Sequence, residues 1–171
     1  MTELSDTAPL PSGRRYTTKQ LGDACEMLVA AELTLAGIPA LKVPDNWPGY
    51  DVIAQPRDAS PQRISVKART YRKGGAHFAD YYEGAEDFDW LAIVLLQSAD
   101  LDERRIYIVP RAEFDAVAKA WPDKRLGRTQ RYVSLAQIEA LFGRFRDNFS
   151  LCTDAELAGD PLLDPVPEVA S

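Results

Sequence analysis

Apolar positions along the chain follow two rhythms. Between Thr17 and Gly37, Leu21, Ala24, Cys25, Leu28, Glu32 and Leu35 recur at near-helical spacing, which predicts one long helix. Thr17 or Thr18 is suited to cap its start, and Gly37 falls where glycine commonly follows a helix end. The pattern then shortens. The runs IPALKV, YDVIAQ and RISVKAR predict three strands, and the turn-forming PRDASP between the last two makes them an antiparallel hairpin. FDWLAIVLLQ is continuously apolar from Trp90 to Leu96, as in a strand covered on both faces. RRIYIVP predicts another strand. Pro110 opens a helix, RAEFDAVAKAW, where proline is tolerated, and a last helix, SLAQIEALFGRFRD, starts at Ser134. Residues 70–86, TYRKGGAHFADYYEGAE, keep neither rhythm and are read as irregular.

This order predicts an α/β fold, a mixed central sheet flanked by helices. The domain is expected over residues 15–150. Residues 1–14, rich in Pro, Ser, Thr and Gly, are expected to form a disordered tail, and residues 151–171 an acidic, proline-rich one. A length of 171 residues with 46% hydrophobic content supplies one sizeable core. No apolar run approaches the roughly 20 residues that span a bilayer, and the N-terminus lacks a basic start followed by an apolar stretch. The expectation is a cytoplasmic protein with no membrane partner.

Candidate chemistry is narrowed by scarcity. Two cysteines, Cys25 and Cys152, are too few for a disulfide framework or a cysteine-ligated metal. The single histidine, His77, excludes a multi-histidine zinc site, and no nucleophile-elbow pattern accompanies it. A net charge of −6 argues against indiscriminate nucleic-acid binding, but the charge is unevenly spread. Arg57, Arg63, Lys67, Arg69, Arg72 and Lys73 cluster against Asp58 alone, and DKRLGRTQR forms a second basic run. Such stretches suit phosphate contact on one face, or are solvated loops.

One pair stands out. Asp51 begins the first hairpin strand and Lys67 lies inside the second. Alternation puts Ser65 and Lys67 on one face, with Ile64, Val66 and Ala68 on the other. Taken singly, each residue has a plain reading: Asp51 as a strand start after a turn, Lys67 as a solvent-side cation, Glu26 as an exposed helix residue. Together they form the acid, cation and acid of a possible site.

The helix GDACEMLVAAELTLAG, with Gly22, Glu26, Val29, Leu33 and Gly37, is followed by GYDV, ISVKA, FDWLAIVLL and RRIYIVP. Over residues 17–121 this series resembles the PD-(D/E)XK nucleases, which have the restriction-endonuclease-like fold. The resemblance implies a metal-dependent DNA endonuclease-like protein that hydrolyses phosphodiester bonds, with Mg²⁺ or Mn²⁺ as cofactor, DNA rather than RNA as partner, and a homodimer as its assembly. By it, Asp51, Glu26 and the carbonyl of Val66 hold the metal. Lys67 orients the attacking water or offsets transition-state charge, so that Asp51, Lys67 and Glu26 form the catalytic set. Arg69, Arg72 and Lys73 are placed to contact phosphates. The aromatics Tyr71, Phe78, Tyr81 and Tyr82 either stack on bases or pack their segment onto the domain. One departure stands out: Ser65 occupies the position of the second carboxylate. Either another acid is recruited, with Glu26, Glu83, Glu86 and Asp87 as candidates, or the chain is an inactive nuclease-fold module that binds nucleic acid or a protein partner.

Overall fold

The computed structural model describes residues 16–71, 77–97 and 104–159, apart from the side chains of Tyr71 and Gln97. The first helix, α1, spans Thr18–Leu35. Its start is a reciprocal cap. The Gln20 amide donates to the Thr17 hydroxyl at 3.1 Å, and the Thr17 amide donates to the Gln20 side chain at 2.8 Å. At its end Gly37 takes a φ of +94°, and Ile38 donates back to the Leu33 carbonyl at 2.9 Å. The buried stripe of α1 is Cys25, Val29, Ala30 and Leu33. It is rotated by about one residue from the stripe read in the sequence, and Leu35 stands 83% exposed. Glu26 therefore sits beside the buried stripe rather than opposite it.

The strands β1 (Ala40–Lys42), β2 (Val52–Ala54), β3 (Gln62–Tyr71), β5 (Trp90–Gln97) and β6 (Arg105–Pro110) form one sheet in the order β1-β2-β3-β5-β6. β3 and β5 are parallel, with Ser65 beside Leu91 and Lys67 beside Ile93, and the other pairs are antiparallel. The sheet is thus mixed, with α1 on one face, as the hydrophobic rhythm implied.

Period-two alternation divides the side chains between two cores. Ile64, Val66, Trp90, Ala92, Val94 and Ile108 pack under α1. Leu91, Ile93, Tyr107 and Val109 face the opposite way and meet a second layer. That layer is a smaller sheet, β4-β8-β7, made of β4 (Phe78–Tyr82), β7 (Lys119–Asp123) and β8 (Arg128–Ser134), with the helices α2 (Arg111–Val117) and α3 (Ile138–Phe142). Fully burying side chains such as Phe114, Phe142 or Ile93 stabilises each layer by about 1.5–3 kcal/mol apiece.

The small sheet departs from the sequence reading in three places. Part of the segment taken as irregular is β4. The helix beginning at Arg111 stops at Val117, because residues 119–123 pair with β8. The helix expected from Ser134 is broken: β8 runs through Ser134, and α3 is only Ile138–Phe142 between two 3-10 turns. Strand pairing overrode helical spacing, through a local hairpin between β7 and β8 and a distant partner for β4 in β8. Beyond residue 150, Leu151 packs into the first core and Leu157 against the second, and a short helix, α4, covers Asp154–Ala158. No described helix is long and apolar enough to cross a membrane.

Candidate active site

The site forms where β2 ends early. The segment between β1 and β2, PDNWPGY, carries two prolines and a glycine and leaves the sheet as a loop. Strand pairing resumes at Val52 beside Ile64, so the β3 edge beyond Ile64 has no β2 neighbour. Asp51 covers that edge. Its amide donates to the Ile64 carbonyl at 3.0 Å, and its carboxylate Oδ2 accepts the Val66 amide at 2.6 Å. Backbone groups alternate along a strand, so the Val66 carbonyl faces the same edge as its amide.

Ser65 is 1% exposed, and its hydroxyl lies 3.3 Å from Asp51 Oδ2 and 3.0 Å from Glu86 Oε2. A hydroxyl has one proton and can donate to only one carboxylate at a time. Lys67, on the same face of β3, donates from Nζ to the same Glu86 oxygen at 2.8 Å. Asp51, Ser65, Lys67 and Glu86 are thus one connected cluster. Of the four acids considered as substitutes for the missing carboxylate, Glu86 is the one over Ser65. Glu83 pairs with Arg131, and Asp87 pairs with Arg63.

The loop carrying Glu86 is pinned on several sides. The Asp87 amide donates to the Gly49 carbonyl at 3.0 Å. Gly49 has a φ of +94°, and a Cβ there would lie 2.9 Å from the Asp87 nitrogen, so this approach requires glycine. Arg63 grips Asp89 through both ends of its guanidinium, at 3.1 and 2.8 Å, while its amide donates to the same carboxylate at 2.9 Å. That hydrogen bonding from Arg63 holds the Asp89 carboxyl below its ordinary range. Phe88 is buried in the second core under the Arg111 guanidinium, which also lies over Tyr81.

Glu26 lines one cavity with Asp51 and Tyr50, about 200 Å³ in volume. Its carboxylate is engaged by Lys42 at 2.6 Å. Lys42 also reaches Asp45 at 2.8 Å and Asp23 at 3.4 Å, and Lys19 bridges Asp23 and Asp45 at 2.9 and 2.6 Å. Asp23, Glu26 and Asp45 turn oxygens toward one another within 4.8 Å, with the Lys42 ammonium among them. The hydrogen bonds from Lys19 and Lys42 pull Asp45 down to about 2 and hold both ammoniums charged above their ordinary range. Asp45 belongs to this rim and not to the cluster on Ser65.

Arg69 turns inward. It donates to the Phe78 carbonyl at 2.8 Å, to the Ala68 carbonyl at 2.9 Å and to Asp80 at 2.7 Å, joining β3 to β4. Arg72 and Lys73 lie outside the described residues, as does the Tyr71 side chain. Tyr81 is core, and Phe78 is exposed. Sequence reasoning did not single out Lys42 or Arg111, and it read Arg63 only as part of a basic stretch, whereas Arg63 pairs with Asp87 and Asp89. The available signal was the continuous run at Trp90: a strand parallel to β3 brings the residues before it beside Arg63 and Ser65.

No protein-family model and no curated protein matches the sequence. Among solved structures, the chain is similar to a bacterial homing endonuclease at a TM-score of 0.56 and 16% identity, covering 84% of this chain and 98% of that one. It also aligns with a Holliday junction resolvase from the archaeal hyperthermophile Archaeoglobus fulgidus, at a TM-score of 0.39 and 15% identity over 67% of this chain and 88% of that one. The fold is restriction-endonuclease-like, the fold of the PD-(D/E)XK nucleases.

Proposed function

Proceeding from a restriction-endonuclease-like fold, we propose that the chain is a divalent-metal-dependent DNA endonuclease in which Glu86 supplies the carboxylate that Ser65 lacks. The carrying observation is that one buried hydroxyl touches both the Asp51 and the Glu86 carboxylates while Lys67 holds the latter. These donors fit Mg²⁺ or Mn²⁺. They are hard oxygens, and Mg²⁺ takes one or two carboxylates while keeping several waters. The Asp51 and Glu86 carboxylates also meet on one hydroxyl, and a further cation beside them offsets their mutual repulsion. Asp51, Glu86 and the Val66 carbonyl would hold the ion. When bound, it neutralises the scissile phosphate and acidifies a water.

The protein's own groups do the rest. The Val66 amide fixes the Asp51 carboxylate at the sheet edge. Glu86 keeps the Lys67 ammonium oriented in a half-buried position, where a fixed positive charge offsets negative charge developing on the phosphoryl oxygens. Glu26 is assigned to the rim, where it anchors Lys42. The homing endonuclease similar in fold supports DNA as substrate.

The test is incubation of purified protein with supercoiled DNA and Mg²⁺ or Mn²⁺. Nicking that chelation abolishes, and that falls at least about 10-fold in Asp51→Ala, Lys67→Ala and Glu86→Gln, is expected. Absent nicking, or nicking indifferent to these changes, overturns the reading.

One observation favours a second reading, an inactive module that binds nucleic acid or a protein. Ser65 brings no charge, and the Lys67–Glu86 pair already balances itself. Calorimetric titration separates the two: Mn²⁺ binding that requires Asp51 and Glu86 excludes the inactive module, and DNA binding with no metal uptake supports it.

A further inference from the structure

The small sheet has one face against the core and one face open. Pairing puts Phe78, Asp80 and Tyr82 of β4, Tyr132 and Gln130 of β8, and Lys119 and Trp121 of β7 on the open side. Three of these form an aromatic surface. Trp121 is 60% exposed and Phe78 44%, and the Phe78 and Tyr132 rings meet edge-to-face at 4.9 Å. With Gln130 they line a shallow groove of about 280 Å³. A single exposed aromatic is ordinary, but three converging around an amide is not what solvent selects.

The surrounding charge is mainly basic. Residues 119–128 contain Lys119, Lys124, Arg125 and Arg128 against Asp123, in a chain of net charge −6. Asp123 is occupied within the turn, accepting the Arg125 and Leu126 amides at 2.9 and 3.1 Å. Lys119, Lys124, Arg125 and Arg128 are all exposed. This face is also linked to the proposed active site. Gln130 donates to Asp80 at 2.7 Å, and Asp80 pairs with Arg69, which follows Lys67 by two positions on the same face of β3, about 6.6 Å along the strand.

We propose that this face binds a segment of single-stranded DNA, with Trp121 and Phe78 stacking on unpaired bases and the Lys119–Arg128 hairpin holding phosphates. The proposal rests on the nuclease reading only for taking DNA as the ligand. Charge complementarity selects a polyanion over an apolar protein surface. Exposed ring faces select unstacked bases over a duplex, whose bases are already stacked.

The experiment is fluorescence anisotropy with labelled oligodeoxythymidylate of about 12 nucleotides, titrated with the full chain in EDTA. Because no metal is present, the readout is independent of cleavage: loss of nicking with binding intact refutes the nuclease reading alone. Trp121→Ala is expected to weaken single-strand binding about 5- to 100-fold, Trp121→Phe to retain most of it, and Lys124→Ala with Arg125→Ala to weaken binding and flatten its salt dependence. Equal affinity in Trp121→Ala and the parent chain overturns the proposal. So does duplex bound as tightly as single strand, or a dimer in solution that Trp121→Ala dissociates, which would make this face a protein interface.

Discussion

The Lys67 ammonium and the Glu86 carboxylate meet at 2.8 Å directly above a buried serine, with side chains 19% and 21% exposed. Two residues distant along the chain thus complete a position at which the strand itself carries no charge. If Glu86 replaces the missing acid, the two positions are interchangeable.

Glu86→Gln is therefore expected to lower Mn²⁺ affinity and nicking about 10- to 100-fold, and adding Ser65→Asp to that variant to restore a large part of both. Calorimetry and a supercoiled-DNA assay on the same preparations check it. If the double variant is no better than Glu86→Gln alone, the two positions are not interchangeable and Glu86 does not stand in for the missing acid.

Gly49→Ala should cost roughly 2–4 kcal/mol, combining left-handed backbone strain with displacement of the Asp87 backbone. Gly37→Ala has the same φ of +94° and open space around the added Cβ, and should cost only about 1–2 kcal/mol. Urea denaturation compares them. Only the Gly49 variant should also lose metal binding, because only it moves the Glu86 loop.

Asp89 links stability to pH. Its carboxyl is held below the ordinary range by Arg63, so the folded state binds this proton less readily than the unfolded chain. The stabilisation is fully present above the unfolded carboxylate range and is lost as pH falls through the folded value. Asp89→Asn is expected to destabilise the protein by about 1–3 kcal/mol at neutral pH through the lost charged hydrogen bonds. The difference from the parent chain should shrink steadily below about pH 4. Thermal melts across that window measure it, and a pH-independent difference contradicts the assignment.

Cys25 is 3% exposed, and burial pushes its thiol up to about 11. A thiol reagent near pH 8 should leave it untouched in the folded protein and reach it only on unfolding, whereas the part-exposed Cys152 should react first. Mass spectrometry after labelling distinguishes the two sites.

Much of this was legible one residue at a time. Asp51 and Lys67 stood out because a glycine turn followed by an acid, and a cation in a β-branched strand, are local patterns. The alternation that joins Ser65 to Lys67 needs no partner strand. The α1 stripe was read with a rotation of about one residue, since Ala24 and Leu35 are apolar yet face outward while Val29 and Leu33 carry the contact. The second sheet was not legible. KAWPD and FADYY carry weak strand signals, and they become strands because RTQRYVS lies between them and satisfies both backbones.

By itself, the sequence determined the chain's helix-first mixed α/β order, the acid and cation on adjacent strands, and the absence of a carboxylate at Ser65. These follow from side-chain period and turn chemistry, which act over a few residues. Tertiary structure alone decided that Glu86 lies over Ser65, that Lys42 draws Glu26 to the rim, and that Arg69 faces inward. Each depends on the parallel pairing of β3 with β5 or on the packing of the small sheet. Contacts between residues so far apart in the chain are set by how the whole core closes, which no local pattern encodes.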